Sequence, residues 1–240
     1  MKLLLLKFAV VAMITCCAFE KAPEKIETIE VIEFNTISET FLLNAMEGKD
    51  TQEIQNQLAT TSLKALELAF WVNVYNAYIQ VFLRNNPELY EDRNAFFNDD
   101  RITIAGELIS FAKIEHGIIR KSQWSLGLGK IRKWFPNKFE RKLRVEKRDY
   151  RIHFALNCGA KDCPPVAVYY ANRLDEQFDK STEMFLKKTT SYNSEKKEVA
   201  ITSLFSWFRG DFGSQNKIKN ILKDQGLIPQ TKYLKTMIGT

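Results

Sequence analysis

Apolar residues recur every three or four positions along most of this chain, which is the period of an amphipathic helix. Val31, Phe34, Ile37, Phe41 and Leu42 predict one helix, ended near Gly48. Leu63, Leu66, Phe70, Val74, Ala77, Tyr78, Val81 and Phe82 predict a second, which Pro87 stops by Asn85 or Asn86. Arg101 to Ile104 alternates like a short strand, and Gly106 to Arg120 predicts a helix capped by Ser110 with Phe111, Ile114 and Ile118 buried. Arg151 to Asn157 alternates most clearly of all. It predicts a strand with Ile152, Phe154 and Leu156 on one face and His153, Ala155 and Asn157 on the other. Asn172 caps a helix carrying Leu174, Phe178, Met184 and Phe185, Val199 and Ile201 form a short strand, and Ser203 caps a turn through Leu204, Trp207 and Phe208. Ile218, Ile221 and Leu222 mark a final helix. Helices with a few short strands, no repeat and no long linker predict an α+β fold, a mainly helical single domain with a small sheet.

The first residues break this pattern. Lys2 precedes an apolar run, Leu3 to Ala12, interrupted only by Lys7, which reads as a signal peptide and is too short to cross a bilayer as a helix. Cys16 and Cys17 follow, so residues 1–17 resemble a bacterial lipoprotein signal, with simple cleavage as the alternative to lipidation. Residues 18–30, charged and containing Pro23, read as a tether to a domain over 31–240. The expectation is an exported protein, periplasmic or membrane-anchored. With 45% apolar and 27% charged residues over 240 positions, the chain can bury a core without covalent staples. The basic run from Lys130 to Arg151 is a solvated face by default; nucleic acid, anionic lipid or an acidic polymer is its other use. No nucleic acid partner is expected, and membrane contact is expected only through an N-terminal lipid.

Two of the four cysteines remain for the body of the protein, and they share the segment RIHFALNCGAKDCPP from Arg151 to Pro165. A thiol attacks only as thiolate, which calls for a cation, a helix N-terminus or an imidazole beside it. The chain holds two histidines. On a regular strand His153 points away from Cys158, so His116 is the freer partner, with Asn76 as an amide to orient it. The alternatives are a structural disulfide between Cys158 and Cys163, a pair that cycles by thiol–disulfide exchange, or two inert, loosely packed cysteines. Asn73, Asn76 and Gln80 share one helical face, where amides gain little unless they bind loops of the same chain or a ligand. No metal-ligand spacing, phosphate loop or serine elbow is present, so neither metal nor cofactor is expected. Phe70-Trp71 and Trp207-Phe208 are core aromatics by default.

Four stretches then fall into a familiar order: AFWVNVYNAY (Ala69 to Tyr78), the IAG…IEHGIIR stretch (Ile104 to Arg120), RIHFALNCGAKDCPP, and LFSWFRGDFG (Leu204 to Gly213). The chain resembles the domain of unknown function 547 family from about residue 31 to 235. That resemblance implies site positions at Asn73, Asn76, Glu115, His116, Arg120, His153, Cys158, Cys163 and Pro164, and a distant similarity to papain and transglutaminase-like cysteine enzymes. Two functions follow as expectations. One is a hydrolase or transferase acting on acyl or amide groups, with Cys158 as nucleophile, His116 as base, and Asn76 or Glu115 orienting it. The other is a non-catalytic envelope module in which Asn73, Glu115, Arg120 and His153 bind an unknown ligand or protein and the cysteines are structural.

Overall fold

A computed structural model of the chain describes residues 24–61, 66–160, 162–230 and 235–238. The expected signal over residues 1–17, with Cys16 and Cys17, and Leu63 of the second expected helix lie outside the described residues. The first helix, α1, runs Glu24–Glu47, so the charged residues from Glu24 onward are helix rather than tether. Glutamate and lysine are good helix formers, and their charge does not argue against a helix. Gly48 ends α1 with φ 74°. A short helix, α2 (Gln52–Thr60), leads to α3 (Leu68–Asn85), whose residues from Ala69 to Ile79 are all buried. A helix buried all round is the centre of a core. Helix α1 packs along it through the edge-on pairs Phe41–Tyr78 and Phe34–Phe70.

Pro87 opens a 3-10 turn, and α4 (Arg93–Asn98) follows, capped by Asp92. Strands β1 (Ile102–Ile104) and β2 (Glu107–Ile109) form an antiparallel hairpin on Ala105 and Gly106, both at positive φ. The helix starts only after Ser110, whose Oγ accepts from Lys113 N as a cap should, and it widens into a π-helix over Lys113–Ile119. Phe111, Ile114 and Ile118 are buried as the spacing predicts.

A hairpin pairing Gln123 with Arg132 and the helix α5 (Lys138–Leu143) come next. The expected strand at Arg151 to Asn157 is instead a 3-10 turn, Tyr150–Phe154, running into extended chain. Two causes are visible. Asp149 accepts from Arg151 N and caps the turn, and every residue from Ile152 to Leu156 is buried, so alternation of size did not report a wet and a dry face. Beyond it lie α6 (Leu174–Thr189), β3 (Ser191–Asn193), β4 (Glu198–Ile201), α7 (Leu204–Trp207), α8 (Arg209–Phe212), α9 (Gln215–Asp224) and β5 (Lys235–Ile238). Strand β4 pairs antiparallel with β3 and parallel with β5. Phe154, Phe185, Phe205, Phe212 and Leu222 make a second apolar cluster beside the main core. Among the described residues no helix is long and apolar enough to cross a membrane.

The segment after the 3-10 turn pairs with α3 through side-chain amides rather than through a sheet. Asn76 Oδ1 accepts from Asn157 N (2.8 Å) while its Nδ2 donates to Ala155 O (3.0 Å). Asn73 does the same at Tyr169, accepting from its N (2.9 Å) and donating to its O (2.7 Å). Each amide thus satisfies one buried backbone donor and one acceptor, as a strand neighbour would. Truncating either orphans both groups. Asn73→Ala and Asn76→Ala are each expected to lower the unfolding free energy by about 2–4 kcal/mol in urea titrations. Gln80→Ala, on the same helical face without such a clamp, changes it by less than about 0.5 kcal/mol.

Candidate functional site

The two clamps fix both ends of the loop that carries the cysteines. Within it Cys158 and Cys163 form a disulfide, with Cα atoms 5.9 Å apart. Asn157 closes the loop on itself, its Nδ2 donating to Pro164 O and its Oδ1 accepting from Gly159 N. Tyr90 Oη donates to Cys158 O (2.6 Å), and Gly159 takes φ 79° against Leu83 and Tyr90, where a Cβ would collide with Leu83. The disulfide lines a cavity of about 550 Å³ whose wall also includes Glu115 and His153. Tyr90, Trp207 and Phe208 give it apolar faces and Arg93 a cation. A mostly apolar cavity with a few convergent polar groups is the usual form of a small-molecule site.

His153 enters that wall because its segment is a 3-10 turn. The two-residue parity that sends a strand's side chains to opposite faces does not apply there, so His153 and Cys158 meet one cavity. Behind the imidazole lies a buried carboxylate, Asp211 of α8. Its Oδ2 is 2.9 Å from His153 Nε2 and accepts from Arg120 Nε (2.7 Å), and its Oδ1 accepts from Arg148 Nη1 (2.8 Å). His153 stacks on Phe208 with ring centres 3.9 Å apart, and Arg120 lies over the same ring. Arg120 also donates through Nη1 to His116 Nδ1 (2.6 Å).

Both imidazoles are held below their ordinary range by burial. Asp211 pulls His153 the other way and Glu115 does so for His116, in each case by less. Two guanidiniums already neutralise Asp211, so a charged His153 is not required. In neutral His153, Nε2–H donates to Asp211 and Nδ1 keeps the lone pair. Asp211 itself is held below the usual carboxylate range despite burial, because His153 and Arg120 favour its charged form. A neutral imidazole oriented by a buried carboxylate, in the wall of the cavity that Cys158 also lines, is an arrangement that can serve acid–base chemistry.

The expected site residues thus separate. Cys158, Cys163, Pro164, Glu115 and His153 line the cavity. His116 and Arg120 do not: His116 is bound to Arg120, which is buried in the Asp211 pair. Asn76 orients no imidazole, because both ends of its amide are taken by backbone, and Asn73 is likewise a clamp rather than a ligand-binding amide. Trp207, expected in the core, is largely exposed at the cavity. Asp211 was missed. Its one sequence signal is an acid set among aromatics in LFSWFRGDFG.

A family model described as protein of unknown function, DUF547, matches residues 58–186, a span that holds the clamps, both histidines and both cysteines but not Asp211. No curated protein and no solved structure matches.

The histidines make stability depend on pH. Both have native pKa values below 6.5, so the unfolded chain takes protons first as the pH falls. Stability is therefore full above about pH 6.5 and declines below it, by at most about 1.4 kcal/mol per pH unit for each histidine. The contribution of Asp211, with a lowered pKa, goes only at still lower pH. Denaturant titrations from about pH 7.5 down to 5 should show this decline, and His153→Phe should flatten it.

Proposed function

The chain belongs to the DUF547 family, and on that premise we propose that it is an exported, cysteine-dependent enzyme acting on an acyl or amide carbon, with Cys158 as its nucleophile. One observation carries this reading: Cys158 and His153 line the same cavity, and Asp211 is bonded to Nε2 of that imidazole. Nucleophile, base and orienting carboxylate are then three residues of one site. Burial keeps His153 neutral near pH 7, the state a base needs. His153 with Asp211 takes the role first given to His116 with Asn76.

The disulfide is the resting form. An external thiol reduces it by exchange, leaving two protein thiols and oxidising the reductant to its own disulfide. His153 Nδ1 then takes the Cys158 proton and the sulfur bonds to the substrate's carbonyl carbon. When the adduct collapses, the leaving group departs with the proton held by His153. Water, or an acceptor amine or alcohol, releases the acyl group from sulfur by the same steps in reverse. Export rests on the Lys2 to Ala12 signal, and a disulfide suits an oxidising compartment; a lipid on Cys16 or Cys17 would hold the protein at the envelope.

The disulfide also favours a second reading. With the loop closed by Cys158–Cys163, Asn157 and Tyr90, the cavity is a formed binding pocket without any free thiol. Glu115 and Arg93 would then bind a ligand that undergoes no reaction.

Alkylation after reduction separates the two. At about pH 7 iodoacetamide should modify Cys158 faster than Cys163, and His153→Ala should slow Cys158 by about tenfold or more. Equal rates for the two thiols, indifferent to His153, would leave only the binding reading.

A further inference from the structure

Between Lys121 and Pro136 the usual placement of side chains is inverted. Gln123, Gly127 and Gly129 face inward and are buried, while Trp124, Leu126, Leu128, Ile131, Trp134 and Phe135 face out. Leu126 is 75% exposed, Trp134 85% and Phe135 91%. Isolated exposed apolar residues need no explanation, but six in one short hairpin form a patch, which does.

This patch is held on a firm backbone. Trp124 N donates to Ile131 O (2.9 Å) and Lys133 N to Ser122 O (2.8 Å), closing the hairpin. Its tip is docked to the body: Gly210 N donates to Leu128 O (2.6 Å), and Arg148 Nη1 donates to Gly129 O (3.2 Å). Gly129 sits so near Asp211 that a Cβ there would lie 2.9 Å from its Oδ1. The glycine side of the hairpin is therefore fully used by the fold. Its apolar side is committed to nothing within the described residues.

The charges around the patch identify its occupant. Lys130 and Arg132 are exposed among the apolar side chains, and Lys138, Arg141 and Lys142 continue along α5. The sole carboxylate from Lys121 to Lys142 is Glu140, which is buried and paired with Lys113 and Lys133. An outward surface of Trp, Phe, Leu and Ile, flanked by cations and with no exposed carboxylate from Lys121 to Lys142, matches the interface of a bilayer carrying negative headgroups. A second copy of the chain would bring like charges together. Nucleic acid would use the cations and aromatic faces but not Leu126, Leu128 or Ile131. We propose that this hairpin inserts its apolar edge into an anionic phospholipid surface while Lys130, Arg132 and the α5 cations bind the headgroups. Membrane contact then does not depend on an N-terminal lipid alone, and the docked tip places the cavity's Asp211–His153 pair close to the bilayer. The inference is independent of whether Cys158 is catalytic.

The test uses the full chain and sedimentation with extruded vesicles, either phosphatidylglycerol mixed with phosphatidylcholine or phosphatidylcholine alone. The protein should prefer the anionic vesicles. Trp134→Ala with Phe135→Ala should weaken partition by about tenfold or more, and Lys130→Glu with Arg132→Glu should abolish the preference for anionic lipid. All these side chains are exposed, so thermal midpoints should not move. Brominated acyl chains should quench tryptophan emission in the parent protein, and Trp124→Phe with Trp134→Phe should remove most of that quenching. Equal partition to both vesicle types, partition unchanged by both pairs of substitutions, or absent quenching would overturn the proposal. So would dimerisation, duplex DNA or the chain's own N-terminal residues covering the patch in place of lipid.

Discussion

A carboxylate that has lost its water must find its solvation in the protein, and Asp211 finds it in side chains drawn from three distant places. Arg120 arrives from the end of the π-helix, Arg148 from the chain before the 3-10 turn, and His153 from within that turn. The net gain from such a buried group is small, because desolvation offsets most of the attraction. Its effect lies in specificity: removing either member of the desolvated Arg120–Asp211 pair leaves the other charged and dry, at about 3–5 kcal/mol. The pair therefore fixes where α8, the hairpin tip at Gly129 and the 3-10 turn meet. It also fixes the protonation of His153, since Asp211 is already neutralised and burial then keeps the imidazole uncharged.

Helix α3 contributes Tyr75 to the cavity wall and holds the loop that carries the cysteines. Its two asparagines stand in for a sheet neighbour, holding the backbone at Ala155, Asn157 and Tyr169 by both donor and acceptor. Between those points the chain has little regular structure, and Asn157, Tyr90 and the disulfide shape the loop. The cavity thus joins a wall inside the matched family span, residues 58–186, to one from the C-terminal part that carries Trp207, Phe208 and Asp211. Chemistry at Cys158 and insertion of the outward hairpin are separate proposals, yet both meet at Asp211.

How much of this was legible follows from what each signal measures. Period-3.6 stripes found α1, α3 and α9 because each buries apolar residues on a helix long enough to repeat. Ser110 was legible as a cap because capping is local. The asparagine face was visible too, but its partner backbone lies 79 to 96 residues away, so the sequence could not say what the amides bind. Arg151 to Asn157 was misread because alternation implies a strand only when one face is wet, and here both are dry. That error carried into the site: strand parity turned His153 away from Cys158 and promoted His116. Asp211 is 58 residues from His153, a separation over which no local pattern links an acid to an imidazole.

The account stands on the state of one imidazole, and nitrogen NMR reads it directly in a chain with only two histidines. Long-range correlation spectra at about pH 7, with His116→Gln to assign the signals, should find His153 neutral, protonated at Nε2 and bare at Nδ1, titrating below 6.5. A doubly protonated ring at that pH, or a neutral ring carrying its proton on Nδ1, would contradict the arrangement around Asp211 and everything drawn from it.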